Sequence, residues 1–170
     1  MKHLLISFLT ISILTGCQES PETKFEKNGI SFTSPTGWKI TDDENLDNQG
    51  YYLSIEKDGL NSSGLLIITW INDSLDLNEW LEKFIDKLEN NIIYKNSNLT
   101  FETPASSEFN TIRSLSVSFD FNISGVKHEG IIHVFYGKDK TIAILKQEAI
   151  EDKKKNISGF DTIEQSFMNE

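Results

Sequence analysis

His128, Glu129 and His133 are the side chains that most invite a metal ion, but a metalloprotease helix sets its two histidines four residues apart and these are five apart. On a strand an odd separation sends the two rings to opposite faces, unless a bulge at Gly130 shifts the register. Asp43, Asn45 and Asp47 imitate the opening of a calcium loop. Its sixth position is Asn48 where glycine is needed and its twelfth is Ser54 where glutamate is needed, so the stretch reads as a solvated acidic loop. No serine stands in a G-x-S-x-G elbow, and neither glycine pattern that cradles phosphate occurs. Paired carboxylates could do acid–base work, yet 26 acidic residues allow many pairs that sequence alone does not locate. The sequence assigns no catalytic residue, no metal ligand and no cofactor. A non-enzymatic binding module is expected; the alternative is a hydrolase or metal-dependent enzyme working through carboxylates or His128.

The first residues address the chain to a compartment. Lys2 and His3 precede an apolar run from Leu4 to Leu14, and Thr15-Gly16 supplies the small residues of a cleavage site, the pattern of a signal peptide over residues 1–16. The run is too short for a bilayer core, which takes about 20 helical residues. Its end, Leu14-Thr15-Gly16-Cys17, resembles the lipobox of bacterial lipoproteins. That resemblance implies a diacylglycerol in thioether linkage on Cys17, which then becomes the N-terminus. Cys17 is also the only cysteine, whereas exported chains tend to use theirs in pairs. The expected location is the cell envelope, on the periplasmic face or cell surface of a bacterial membrane. Acyl chains gain about 0.8 kcal/mol per buried CH₂, so the attachment would be lasting.

Composition sets further bounds. The formal charge of −10 repels phosphate backbones, so no nucleic-acid partner is expected. An envelope protein is the partner class that remains, beside the membrane itself. Residues 17–24 form the lipidated end and a polar tether, and residues 25–170 are long enough for one domain with its own core.

Periodicity gives the elements that must position any site. Asn28-Gly29 is a type I′ hairpin signal, and Ser34-Pro35-Thr36-Gly37 suits a type I turn reversing the chain into Trp38-Lys39-Ile40 as a meander. Tyr51–Ile55 and Leu65–Ile71 read as strands, the second apolar on both faces and therefore covered on both. Leu77, Trp80, Leu81, Phe84, Ile85, Leu88 and Ile92 form the stripe of an amphipathic helix, with Asp76 as N-cap, Glu79 completing a capping box and Leu75 and Trp80 as its staple. Strands follow at Leu99–Phe101, along the alternation Leu115 to Ile123, at Val126–Tyr136 and at Thr141–Glu148, with turns at Ser124-Gly125 and 137–140. Residues 149–156 read as a short polar helix or loop. Ser158 caps a last helix that docks through Phe160, Ile163 and Phe167.

The segments "ISFTSPTGWKI", "LDLNEWLEKF", "HVFYGKDKTIAILKQEA" and "FDTIEQSF", in that order over residues 25–168, resemble the PsbP/Mog-type superfamily. The resemblance implies an α+β fold, an antiparallel sheet between helices in an α/β/α sandwich. Many bacterial members are lipoproteins without known activity, and no partner-binding residue of the family maps onto this chain.

Overall fold

The computed structural model describes residues 19–47, 49–59 and 62–170. The expected signal peptide and Cys17 lie outside the described residues. Among the described residues, eleven strands and two α-helices make two antiparallel sheets and a layer on each face of the larger one.

The first hairpin, β1 (Thr23–Lys27) and β2 (Ile30–Ser34), turns through Asn28 at φ 50° and Gly29 at φ 76°, as a type I′ turn requires. It forms a small sheet with β11 (Met168–Asn169). This corrects the expected meander, because β2 does not pair with β3 (Trp38–Leu46). The turn between them also sits one residue later: the Trp38 N–H donates to the Pro35 carbonyl, and Gly37 takes φ 78° at the third position, as in a type II turn.

The large sheet runs in the order β3, β4 (Gly50–Lys57), β5 (Leu65–Ile71), β10 (Thr141–Ala149), β9 (Val126–Tyr136), β8 (Ile112–Ile123). On the outer edge of β8 lie β6 (Thr100–Phe101) and β7 (Ala105–Phe109). Asp43 and Asn45 belong to β3, so the expected acidic loop is an edge strand.

One face is covered by α1 (Leu77–Asn90), whose Trp80, Leu81, Phe84 and Leu88 pack on Val117, Phe119, Ile132, Val134 and Leu145. Asp76 caps it, accepting from the N–H groups of Asn78 and Glu79. The reciprocal half of the capping box is missing, since the Glu79 carboxylate pairs with Lys83. Ile92 is not part of the stripe: the helix ends at Asn90 and Ile92 is 86% exposed.

The other face carries Tyr51, Leu53, Ile55, Leu66, Ile68, Trp70, Ile142 and Ile144, covered by the small sheet and by α2 (Lys153–Ser166). The double-sided burial of β5 follows: Ile67 and Ile71 meet the α1 side, and Leu66, Ile68 and Trp70 the other. α2 starts five residues before Ser158, directly after a short 3₁₀ turn at Ile150–Asp152, and docks through Phe160 and Ile163 with Phe167 at its C-cap. The architecture is thus an antiparallel sheet flanked by two helices, an α/β/α sandwich. No helix among the described residues is long and apolar enough to cross a membrane.

Candidate functional site

The sheet face under α2 is not wholly apolar. Along β8 the side chains of Ser114, Ser116, Ser118 and Asp120 point to it, and the strand pairing sets Asp120 opposite Glu129 and Glu129 opposite Glu148. Three carboxylates therefore stand side by side across β8, β9 and β10. α2 covers this row only in part, leaving a cleft of about 530 Å³ lined by Ser118, Asp120, Glu129, Ile131, Lys146, Glu148, Lys153, Ile157, Phe160 and Asp161.

Most of its charge is already spoken for. Glu129 pairs with Lys153, Lys146 with Glu164, and the buried Asn156 amide donates to Glu148 at 2.8 Å. Burial raises the Glu148 carboxyl above the ordinary carboxylate range; Glu129 across the ladder adds to this, and the Asn156 bond opposes it. Glu164 moves the other way, because the Lys146 ammonium and the Asn110 N–H outweigh its own burial. A raised carboxyl costs stability once it ionises, so the loss sets in as pH rises through the window between its ordinary and folded values. Glu148→Gln keeps an acceptor for Asn156 and removes that charge. We expect a higher urea midpoint than wild type at neutral pH and no advantage in acid; a lower midpoint at neutral pH would show that the ionised carboxylate is the stabilising form.

The two histidines part company. β9 pairs with both neighbours without a register shift, so no bulge forms at Gly130. The glycine is there for another reason: a Cβ would lie 2.3 Å from the Phe119 ring, which crosses over it. His128 is on the α1 face, its ring stacked on Phe121 at 4.8 Å and its Nδ1 3.0 Å from the Val126 carbonyl. His133 is on the α2 face, 4% exposed, with Nδ1 3.0 Å from Ser114 Oγ and its ring against Phe109.

This Ser114–His133 pair was not singled out in the sequence, and it is the arrangement closest to nucleophilic chemistry. It is poorly suited to that work. Burial, and then the Lys146 cation, pull the His133 pKa down to about 4, far below the near-neutral value that serves a general base. Ser114 is itself buried beside it. Among the described residues no group of three or more His, Cys, Asp or Glu side chains converges as a metal ion would need. Of the calcium-loop mimic, Asp43 pairs with Lys27, Asn45 lies in β3, and Asp47 sits in the following turn at φ 46°.

No protein-family model and no curated protein sequence matches the chain. Solved structures do match in shape. The solution structure of cyanobacterial PsbP (CyanoP) from Synechocystis sp. PCC 6803 aligns with a TM-score of 0.60 at 13% identity, covering 92% of this chain and 95% of that one. The crystal structure of LpqN, involved in cell envelope biogenesis of Mycobacterium tuberculosis, aligns with a TM-score of 0.54 at 11% identity, covering 87% and 90%. At such identities the likeness speaks for the fold, and the chain has the PsbP-like α/β/α sandwich.

Proposed function

We propose that the chain is a membrane-anchored bacterial lipoprotein, held through Cys17, whose domain serves as a non-enzymatic binding or accessory module of the cell envelope through protein–protein contacts. The observation that carries this is the state of the chemically capable groups: the serine–histidine pair is buried and weakly basic, and Glu129, Lys146 and Glu148 are bonded within the fold. What the cleft offers to solvent is a rim of exposed charge, Asp120 and Asp161 beside Lys153, suited to recognition. The resemblance of Leu14–Cys17 to a lipobox supports the anchor, and the shared fold of an envelope-biogenesis protein supports the setting. A hydrolase working through Ser114 and His133 would act against their burial and the depressed basicity of the imidazole, and one working through the carboxylates would have to free Glu129 from Lys153 and Glu148 from Asn156.

Two measurements test the proposal. Metabolic labelling with a fatty-acid analogue is expected to mark the wild type and not Cys17→Ser, which leaves precursor or released protein; equal labelling overturns the anchor. Crosslinking in the protein's own envelope is expected to trap a protein partner that the double variant Asp120→Lys, Asp161→Lys fails to trap. An identical crosslink pattern for the two overturns the cleft as the contact surface.

A further inference from the structure

The chain leaves the fold toward Cys17 from one definite end of the sheet. The Ser20 N–H donates to Asp58 at 2.7 Å, and the Ser20 carbonyl accepts from Gly37 at 2.8 Å. Both partners lie where β4 finishes and β3 begins. The expected tether is thus shorter than residues 18–24, since β1 already opens at Thr23. Three residue steps separate Cys17 from Ser20, so the sulfur-bearing residue starts within about 11 Å of this end at ~3.8 Å per step.

The same end gathers every exposed isoleucine among the described residues. Ile92 (86% exposed) and Ile93 (59%) sit in the loop after α1, Ile150 (45%) in the turn after β10, and Ile157 (52%) early in α2. Val126, at the start of β9, joins them at 36%. The loop after α1 is held here by Tyr94, whose hydroxyl donates to Gln147, and by the Asn122 N–H, which donates to the Ser97 carbonyl at 2.6 Å. Ile150 shares a hollow with Asn98, Asn122 and Lys127. Because α1 and α2 lie on opposite faces, their isoleucines flank the sheet end on both sides. The far end exposes Leu46, Tyr136 and Met168 as large apolar groups but, among the described residues, no isoleucine.

Charge at the near end is close to balanced. Asp58, Glu129 and Asp152 each face a lysine (Lys39, Lys153 and Lys155), and the exposed Lys95, Lys127 and Lys154 stand against the exposed Glu89 and Glu151. Isoleucines interleaved with lysines whose stems can lie along an apolar surface are what an interfacial contact uses.

We infer that this end of the domain rests on the lipid bilayer, with Ile92, Ile93, Val126, Ile150 and Ile157 dipping into the headgroup–acyl boundary. The inference rests on the anchor proposed for Cys17. The cleft adjoins this contact, since Ile157 and Lys153 also line it, and it opens on the α2 face beside the bilayer. The contact is led by apolar groups, so a zwitterionic bilayer suffices and salt changes it little.

Hydrogen exchange on the full-length protein reconstituted into phosphatidylcholine vesicles tests it, against the double variant Ile92→Asp, Ile93→Asp in the same vesicles. Both positions are exposed, so the variant keeps the fold. Exchange in residues 91–98, 124–127 and 150–157 is expected to be about tenfold slower in wild type than in the variant, and the 137–140 hairpin unchanged. Equal exchange in the two proteins, or protection at 137–140 instead, overturns the docking. The mass of the N-terminal peptide reports acylation separately. An unacylated chain overturns the anchor alone, because coupling the Cys17 thiol to a maleimide-bearing lipid puts the same exchange question to the same surface.

Discussion

Trp38→Ala is expected to destabilise the domain by about 3–5 kcal/mol, the cost of deleting a large buried ring whose site cannot collapse. The site is built for that one side chain. Trp38 is 2% exposed and meets Phe160 edge-on at 5.0 Å. Two glycines make room for it: a Cβ on Gly159 would lie 2.2 Å from the indole nitrogen, and one on Gly64 would lie 2.6 Å from the ring's far carbon. Gly159 is in the middle of α2, where alanine would ordinarily stabilise by about 1 kcal/mol. Here it is expected to cost about 1–3 kcal/mol through overpacking. The pair gives a cycle in which the sign inverts: in a Trp38→Leu background the indole is gone, and Gly159→Ala should become neutral or stabilising. Urea denaturation of the four proteins measures this. A penalty for Gly159→Ala that persists in the Trp38→Leu background would show that the glycine answers to something other than the tryptophan.

That cycle also shows why some of the fold was legible in the sequence. Trp38 follows a turn and α1 advertises itself by a stripe, a cap and a staple, all local signals. Past Ile40, β3 was hidden because it is the edge of the large sheet, with Asp42, Asp43 and Glu44 exposed in succession and no apolar alternation to mark it. Charge on an edge strand discourages pairing with another chain, so its composition is that of a loop. β7 was hidden likewise, its one buried side chain being Phe109. α2 begins on three lysines without a side-chain cap, and Ser158 offered a better-looking start.

The candidate site was half-readable. Counting outward from the four-residue loop 137–140 puts Glu129 opposite Glu148, and counting from Ser124-Gly125 puts Asp120 opposite Glu129 and Ser116 opposite His133. The register was therefore available as soon as the two hairpins were. The alternation of β8 distinguishes two faces but not which is wet. Its serines look like a solvent face, and only the placement of β7 and α2 reveals that Ser114 and Ser116 are buried. The pairing of Ser114 with His133 and of Lys146 with Glu164 depends on that cover, which no local pattern encodes.

The buried imidazole gives the domain a pH signature that the exposed carboxylates do not share. His133 has a folded pKa of about 4 against an ordinary value of 6.5, so the unfolded chain takes up its proton first as pH falls. Stability is therefore full above the ordinary value and is lost as pH drops toward the folded one. The shift corresponds to about 3 kcal/mol at 1.36 kcal/mol per unit, spread from about pH 6.5 down to pH 4. The carboxylates that gain partners, among them Asp58, Asp76, Asp152 and Glu164, are held below their ordinary range and withdraw their support only at lower pH. Between about pH 6.5 and 5 the decline thus belongs to His133. His133→Asn can keep a polar partner for Ser114 without a titrating ring, and its denaturation midpoint is expected not to fall over that interval, where protonation of the raised Glu148 carboxyl can only add stability, while that of the wild type falls. The His133 ring resonances should show no protonation down to about pH 5. An imidazole that titrates near its ordinary value, with parallel pH profiles for the two proteins, would mean that water reaches His133; the Ser114–His133 pair would then have the basicity that a hydrolase needs.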